Sequence, residues 1–123
     1  MNPPLNRLII YTKKMEEMIA FYTRHFGYSV HQLENDRIVE LRPSDSGASI
    51  LLHPAGKGQR EGQALVKLVF DVENVEAFCH EAARAGLVFG SIHNADGYQF
   101  ANAKDPSKNT VSVSSRAFAQ SSV

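Results

Sequence analysis

The chain has little of several features that would place it in a specialised class of protein. It contains a single cysteine, Cys79, among 123 residues, so no disulfide can form within it. It lacks tryptophan, and no apolar run approaches the roughly 18 residues that suggest a membrane-spanning helix. Neither sign of charge dominates, because 13 basic residues balance 13 acidic ones. The sequence therefore predicts neither a disulfide scaffold nor a membrane protein, and it offers no long-range field for nucleic acid or an anionic membrane.

The start of the chain does not resemble a secretory signal. Its apolar run, Leu8–Tyr11, is far too short for the hydrophobic region of a signal peptide. A lone cysteine also suits a reducing compartment. We therefore expect a cytoplasmic protein, and its length fits one domain with a core that needs no covalent staple.

Two parts of the chain repeat the same order of patterns, about sixty residues apart. A strand-like run at 7–12 precedes apolar residues at helical spacing from Met15, and a run at 65–72 precedes the same spacing from Val75. Both helical stretches end at a glycine. Three more strands fit each part, at about 28–33, 36–42 and 47–53, and at about 87–92, 97–103 and 109–115. We predict an α+β fold of two β-α-β-β-β modules.

The sequence also predicts where each module begins and ends, and which strand residues face the helices. We predict one domain over 1–123, with modules at about 5–54 and 64–115, a glycine-rich charged linker at 55–63 and a tail at 116–123. Strand alternation places one apolar set against the helices. The opposite, mixed set suits a concave surface that faces a ligand: Arg7, Ile9, Tyr11, Ser49, Leu51, His53, Lys67, Val69, Asp71, Thr110, Ser112 and Ser114.

Three motifs carry a family resemblance that covers about residues 7–115. They are Ala20–Tyr22 followed by His25–Tyr28, Leu68–Val72 followed by Val75–Ala77, and the turn Asp105–Asn109. In order and spacing they resemble the vicinal-oxygen-chelate superfamily, the glyoxalase/bleomycin resistance/dioxygenase group. The resemblance implies two modules whose sheets form a cupped cavity, and a homodimer. The turn departs from the family's usual Asp-Pro-Asp-Gly-Asn, because Ser107-Lys108 replaces Asp-Gly, although Pro106 and Asn109 still favour a turn.

The resemblance also implies a divalent metal held by His, Glu or Gln side chains. The matching positions here are Arg7, Leu51, Lys67 and Ser112. Arginine has no acceptor, leucine has no polar group, and lysine could ligate only as a neutral amine. Because two of these residues are cations that would repel a metal ion, we predict that no cofactor is bound. The alternative is a displaced metal site that uses His53, His31, His93 or Glu40, which no paired-histidine spacing supports.

The two cations have a second interpretation. Arg7 and Lys67 could replace the metal as an electropositive spot for an acidic group of a ligand, with hydrogen bonds from Tyr11 and Ser112. The competing interpretation is that both are strand-start residues whose charged ends lie in solvent or pair with Glu40 or Asp71.

Three functions follow as hypotheses. The first is a metal-free binder of a small molecule, similar to the bleomycin-resistance branch. Its predicted site comprises Arg7, Tyr11, Glu40, Leu51, His53, Lys67 and Ser112. The second is a lyase, isomerase or dioxygenase with relocated metal ligands, or with metal-free acid–base chemistry by Glu40, His53 and Tyr11. The third is a non-catalytic interaction module. On the helices, we expect Cys79 to be a buried structural thiol and His25 and His80 to be solvated.

Overall fold

The chain consists of two compact units that divide between Glu61 and Gly62 in the computed structural model, which describes residues 2–119. Each unit contains one helix and one mixed sheet of four strands. The predicted α+β fold of two β-α-β-β-β modules is therefore confirmed. No helix within the described residues has the length and apolar character that a membrane crossing requires.

The first unit contains the elements β1 (Arg7–Thr12), α1 (Met15–Phe26), β2 (Ser29–His31), β3 (Val39–Arg42) and β4 (Ser49–Pro54). The sheet has the order β1-β4-β3-β2, in which β1 runs parallel to β4 and the other pairs are antiparallel. Helix α1 ends where Gly27 adopts a left-handed conformation and its N–H donates to the carbonyl of Tyr22.

The core of the first unit forms between α1 and one face of this sheet. Met18 and Tyr22 of the helix and Leu41, Ile50 and Leu52 of the strands are each at most 2% exposed. Burying a side chain of this size stabilises the fold by about 1.5–3 kcal/mol. Because strand side chains alternate, the opposite face of the same sheet stays free of the helix.

The second unit repeats this arrangement with β5 (Lys67–Asp71), α2 (Val75–Arg84), β6 (His93–Asn94), β7 (Gln99–Lys104) and β8 (Thr110–Ser114). The sheet has the order β5-β8-β7-β6, and β5 runs parallel to β8. The side chain of Asn74 accepts a hydrogen bond from the N–H of Ala77 and caps α2. Within the predicted tail, Arg116–Phe118 forms a short 3-10 turn, and residues 120–123 lie outside the described residues.

One predicted strand, at 87–92, is wrong. Leu87 and Phe89 are buried and alternate as in a strand, but the segment forms no ladder. The N–H of Leu87 instead donates to Ala82 at the end of α2, and the N–H of Gly90 donates to Asn102. The strand that pairs with β7 is displaced to His93–Asn94.

The helix side chains correct one more expectation. His80 is exposed, as expected, but His25 is half-buried, and its ring lies edge-on to Phe21 with centroids 5.1 Å apart. Its Nδ1 is buried without a hydrogen-bond partner among the described residues. Desolvation, assisted by the charge of Arg24, lowers the pKa of His25 below 6.5.

Cys79, which we expected to be buried, is half-buried on α2. Burial raises the pKa of its thiol, which makes it a poor nucleophile.

The lowered pKa of His25 makes stability depend on pH. Because the folded state disfavours the charged ring, the unfolded chain binds the proton more readily, so stability is lost as pH falls below 6.5. Urea denaturation at about pH 7 and about pH 5 should show a smaller loss of stability for His25→Gln than for the native chain. The exposed control, His80→Gln, should lose as much as the native chain, and equal losses in all three proteins would refute this origin.

Candidate functional site

The helix-free face of the first sheet carries polar, charged and apolar side chains in register. Across β1 and β4, Arg7 lies opposite Ser49, Ile9 opposite Leu51 and Tyr11 opposite His53. Across β3 and β4, Glu40 lies opposite Leu51. This is the face that strand alternation predicted to carry a ligand site.

A groove of about 470 Å³ lies on the β2–β3 side of this face. It combines apolar side chains, which can cover the body of an organic molecule, with polar and charged ones that can fix its orientation. The lining residues are Val30, His31, Gln32, Leu33, Asp36, Ile38, Glu40, Arg42 and Leu51. Two residues predicted to bind a ligand, Glu40 and Leu51, therefore lie in the groove wall.

The turn between β2 and β3 shapes one end of the groove. Asn35 adopts a left-handed conformation, with φ of 66°, and the N–H of Asp36 donates to the carbonyl of Leu33. The carboxylate of Asp36 accepts a hydrogen bond from the N–H of Ile38, and the amide of Gln32 donates to the carbonyl of Asp36. These local bonds hold the polar end of the groove in one backbone conformation.

Glu40 forms an ion pair within the groove. Its Oε2 lies 3.0 Å from Nε of Arg42, two residues along the same strand. This partner differs from both cations that the sequence suggested, Arg7 and Lys67. Because the Arg42 side chain is 53% exposed, the pair contributes little to stability. It does occupy the carboxylate, which weakens the case for Glu40 as an acid–base group.

His53 and Tyr11 form a pair beside the groove. Their ring centroids are 5.0 Å apart, and they lie opposite each other on β4 and β1. Nδ1 of His53 lies 2.8 Å from the carbonyl oxygen of Pro54. Because a carbonyl oxygen can only accept, Nδ1 carries the proton, and in the neutral ring Nε2 is a hydrogen-bond acceptor. The pair thus offers an imidazole nitrogen and a phenol to a bound molecule.

The remaining predicted residues, Lys67 and Ser112, belong to the second unit. Nζ of Lys67 lies 5.2 Å from the ring centroid of Phe100, a cation–π contact, and the ring of His93 stacks on Phe100 with centroids 5.0 Å apart. Ser112 is buried, and its hydroxyl donates to the carbonyl of Ala101. Lys67 therefore lies over an aromatic ring, and Ser112 has its donor already used.

The residues at the family's ligand positions do not fit a divalent metal. Arg7 and Leu51 provide no ligand atom, Lys67 is a cation in contact with an aromatic ring, and the hydroxyl of Ser112 is committed to a backbone carbonyl. In residues 2–119, no group of three or more His, Cys, Asp or Glu side chains could hold a metal ion. Of the alternative set, His31, His53 and Glu40 lie in the first unit and form no such group within the described residues, while His93 lies in the second unit.

Sequence reasoning missed several groove residues. Arg42 shares the parity of Glu40 on its strand, so strand alternation could have identified it. Gln32, Leu33 and Asp36 carry no such signal, because their positions depend on the conformation of the turn rather than on a periodic pattern.

Comparison with known proteins agrees with this architecture. A family model described as the Glyoxalase/Bleomycin resistance protein/Dioxygenase superfamily matches residues 5–113. No curated protein matches the chain. Among solved structures, UcmS2 is 22% identical with a TM-score of 0.77, covering 94% of this chain and 99% of that chain. TnmS3, an antibiotic binding protein from Streptomyces sp. CB03234, is 16% identical with a TM-score of 0.74, covering 91% and 94% respectively.

A third structure, a glyoxalase/bleomycin resistance protein from Streptomyces sp. CB03234, is 18% identical with a TM-score of 0.67, covering 88% of this chain and 97% of that chain. At such identities the structural likeness shows the fold alone. The family model, in contrast, spans both modules and reaches into the last strand. The chain therefore belongs to the glyoxalase/bleomycin resistance protein/dioxygenase superfamily.

Proposed function

We propose that this protein binds a small organic molecule in the groove of the first sheet and that it does so without a metal. The observation that carries the proposal is the groove itself, which has a volume of about 470 Å³ and a wall that combines apolar side chains with the Glu40–Arg42 ion pair. Apolar lining provides affinity, and a few fixed polar groups orient a ligand. The fold it shares with TnmS3, an antibiotic binding protein, is consistent with such a role.

Leu51 provides the most direct test, because it lies at the centre of the face and lines the groove. A panel of amphipathic drug-like molecules would be screened by thermal shift, and each hit would be tested again on Leu51→Arg. A ligand at about a hundred times its Kd stabilises the folded state by about 2.7 kcal/mol. We expect this stabilisation in the native chain and its loss in the variant.

The control is Leu65→Arg, which introduces the same charge at a fully exposed position outside the groove. This control should respond to each hit as the native chain does. Should Leu51→Arg fold poorly, Leu51→Trp fills the same space without adding charge. Hits that stabilise all these proteins equally would place the binding site elsewhere.

Metal content tests the second part of the proposal. The native chain would be incubated with nickel, zinc, iron or manganese, desalted, and examined by elemental analysis. We expect far less than one ion per chain and unchanged thermal shifts in the presence of a chelator, because the described residues supply no converging ligand set. Near-stoichiometric metal that is lost in His53→Phe would instead establish the displaced site.

A second function, metal-free acid–base catalysis, is favoured by one observation. The bond from Nδ1 of His53 to Pro54 leaves Nε2 as a base, and the phenol of Tyr11 lies beside it. Turnover separates the two functions, since a binder returns each hit with unchanged mass and an enzyme does not.

From the family membership we also propose that the protein is a homodimer. Analytical sedimentation of the same sample, which measures the mass of the particle in solution, tests this proposal.

A further inference from the structure

Six residues form a continuous strip on the helix-free face of the first sheet. Three come from β1, namely Arg7, Ile9 and Tyr11, and three from β4, namely Ser49, Leu51 and His53. We call this set the β1–β4 strip. It shares Leu51 with the groove, so a molecule bound in the groove has the strip beside it.

One end of the strip carries a positive charge that has no ion-pair partner among the described residues. Arg7 is exposed, and within residues 2–119 it forms no ion pair. The residue opposite, Ser49, is small and half-buried, so it leaves the guanidinium accessible. A guanidinium offers paired N–H donors that match the two oxygens of a carboxylate.

The middle of the strip is apolar. Ile9 is 54% exposed and lies opposite Leu51. A β-branched residue that is half in water on a sheet face gains free energy when an apolar molecule covers it. This pair therefore suits a hydrophobic body rather than another polar group.

The far end presents a hydrogen-bond acceptor. Nδ1 of His53 is committed to the carbonyl of Pro54, so the neutral ring has its acceptor nitrogen, Nε2, available for a donor from a ligand. Tyr11, opposite it, is 47% exposed and can cover an aromatic ring. Hydroxyl, phenol and N–H groups are the donors that complement this end.

The spacing connects the two ends. Arg7 and Tyr11 are four residues apart on one strand, which corresponds to about 13 Å at roughly 3.3 Å per residue. We infer that the ligand is an elongated organic acid with a carboxylate at the Arg7 end, an apolar body over Ile9 and Leu51, and a hydroxyl or N–H group at the His53 end. This inference rests on the proposed function, to which it adds a ligand class.

Three related probes test the arrangement. The first is hydroxybiphenyl carboxylate, with its two polar groups at opposite ends; the others are biphenyl carboxylate, which lacks the hydroxyl, and phenylphenol, which lacks the carboxylate. Calorimetric titration of the native chain should give the tightest binding for the first, and removal of either polar group should weaken it about tenfold or more.

Two variants assign each polar group to its residue. His53→Phe keeps an aromatic ring beside Tyr11 but removes the acceptor, so it should weaken the hydroxylated acid about tenfold and leave biphenyl carboxylate unchanged. Arg7→Gln should weaken both acids about tenfold or more and leave phenylphenol unchanged. The controls are Arg24→Gln, exposed on α1, and His80→Phe, exposed on α2, and both should bind as the native chain does.

The results distinguish failure of the ligand class from failure of the binding function. If Leu51→Arg abolishes the binding of hits while Arg7→Gln and His53→Phe bind all probes normally, the groove binds small molecules but the inferred ligand class is wrong. If no molecule depends on Leu51, the proposed function fails as well. If Arg7→Gln or His53→Phe instead changes the oligomeric state in sedimentation without altering any affinity, the strip is a contact with another chain and the inference is overturned.

Discussion

Replacing Asp105 with alanine should destabilise the protein by about 3 kcal/mol or more. Asp105 is 4% exposed and lies in the turn between β7 and β8. Its Oδ1 accepts hydrogen bonds from the backbone N–H groups of Ser107 and Asn109, both at 2.9 Å, and its Oδ2 accepts from the side-chain amide of Asn109 at 2.9 Å. Removal of the carboxylate leaves buried donors without partners, which costs more than the net value of each bond.

The size of this effect should be visible in both thermal and chemical unfolding. Ser107 is 1% exposed, so water cannot readily replace the lost acceptor at its N–H. The melting temperature should fall by about 10 °C or more. Asp105→Asn is the matched control, because its one amide oxygen can still accept from the two backbone N–H groups, and it should lose roughly half as much. Equal stability of Asp105→Ala and the native chain would show that the turn does not depend on the carboxylate.

The fold follows from patterns that the sequence displays directly. Helical spacing from Met15 and from Val75 coincides with the first residue of each helix, and strand alternation separates Ile50 and Leu52 from the groove-side Leu51. The periods of 3.6 and 2 are local properties, so they survive without knowledge of the tertiary contacts. The two-module α+β architecture was predictable for this reason.

Features set by tertiary contacts could not be predicted in this way. Leu87 and Phe89 alternate as strand residues do, but the N–H of Leu87 donates to Ala82 at the end of α2 and the N–H of Gly90 donates to Asn102 on β7, so the segment forms no ladder. The groove depends on the left-handed Asn35 and the turn around it, for which no periodic signal exists. His25 was predictable in principle, because it follows Phe21 by one helical turn and therefore lies on the same helix face.

For the candidate site, strand alternation predicted which face of the first sheet would face a ligand, but not which side chains pair with one another on that face. It placed Arg7, Tyr11, Leu51 and His53 on one face, and the structure adds that Leu51 and Glu40 line a groove there. It could not show that Glu40 pairs with its strand neighbour Arg42, because side-chain pairing depends on rotamers rather than on the pleat. The ligand itself remains a prediction that rests on the strip and the groove.

The second large loss of stability is expected for Gly62→Ala. This variant tests the Asp105–Asn109 turn between β7 and β8, which departs from the family's usual sequence. Gly62 has a left-handed φ of 79°, and a Cβ built there would lie 2.7 Å from Cβ of Lys108. Lys108 is itself left-handed, with φ of 68°, at the position where the family usually has glycine. Gly62→Ala should therefore cost about 1–2 kcal/mol for its backbone conformation and roughly 1 kcal/mol more for the contact.

Two further variants separate these contributions. Gly97→Ala has a similar φ of 84°, and no atom of residues 2–119 lies within 4 Å of the added carbon, so it should show the backbone cost alone. Lys108→Gly should stabilise the chain by about 0.5–1 kcal/mol, because it relieves a strained lysine at some cost in chain entropy. In the Lys108→Gly background, the cost of Gly62→Ala should fall to that of Gly97→Ala, as measured by urea denaturation. Independent, additive effects of Gly62→Ala and Lys108→Gly would show that the two residues are not in contact, since a shared contact must appear as a coupling energy of about 1 kcal/mol.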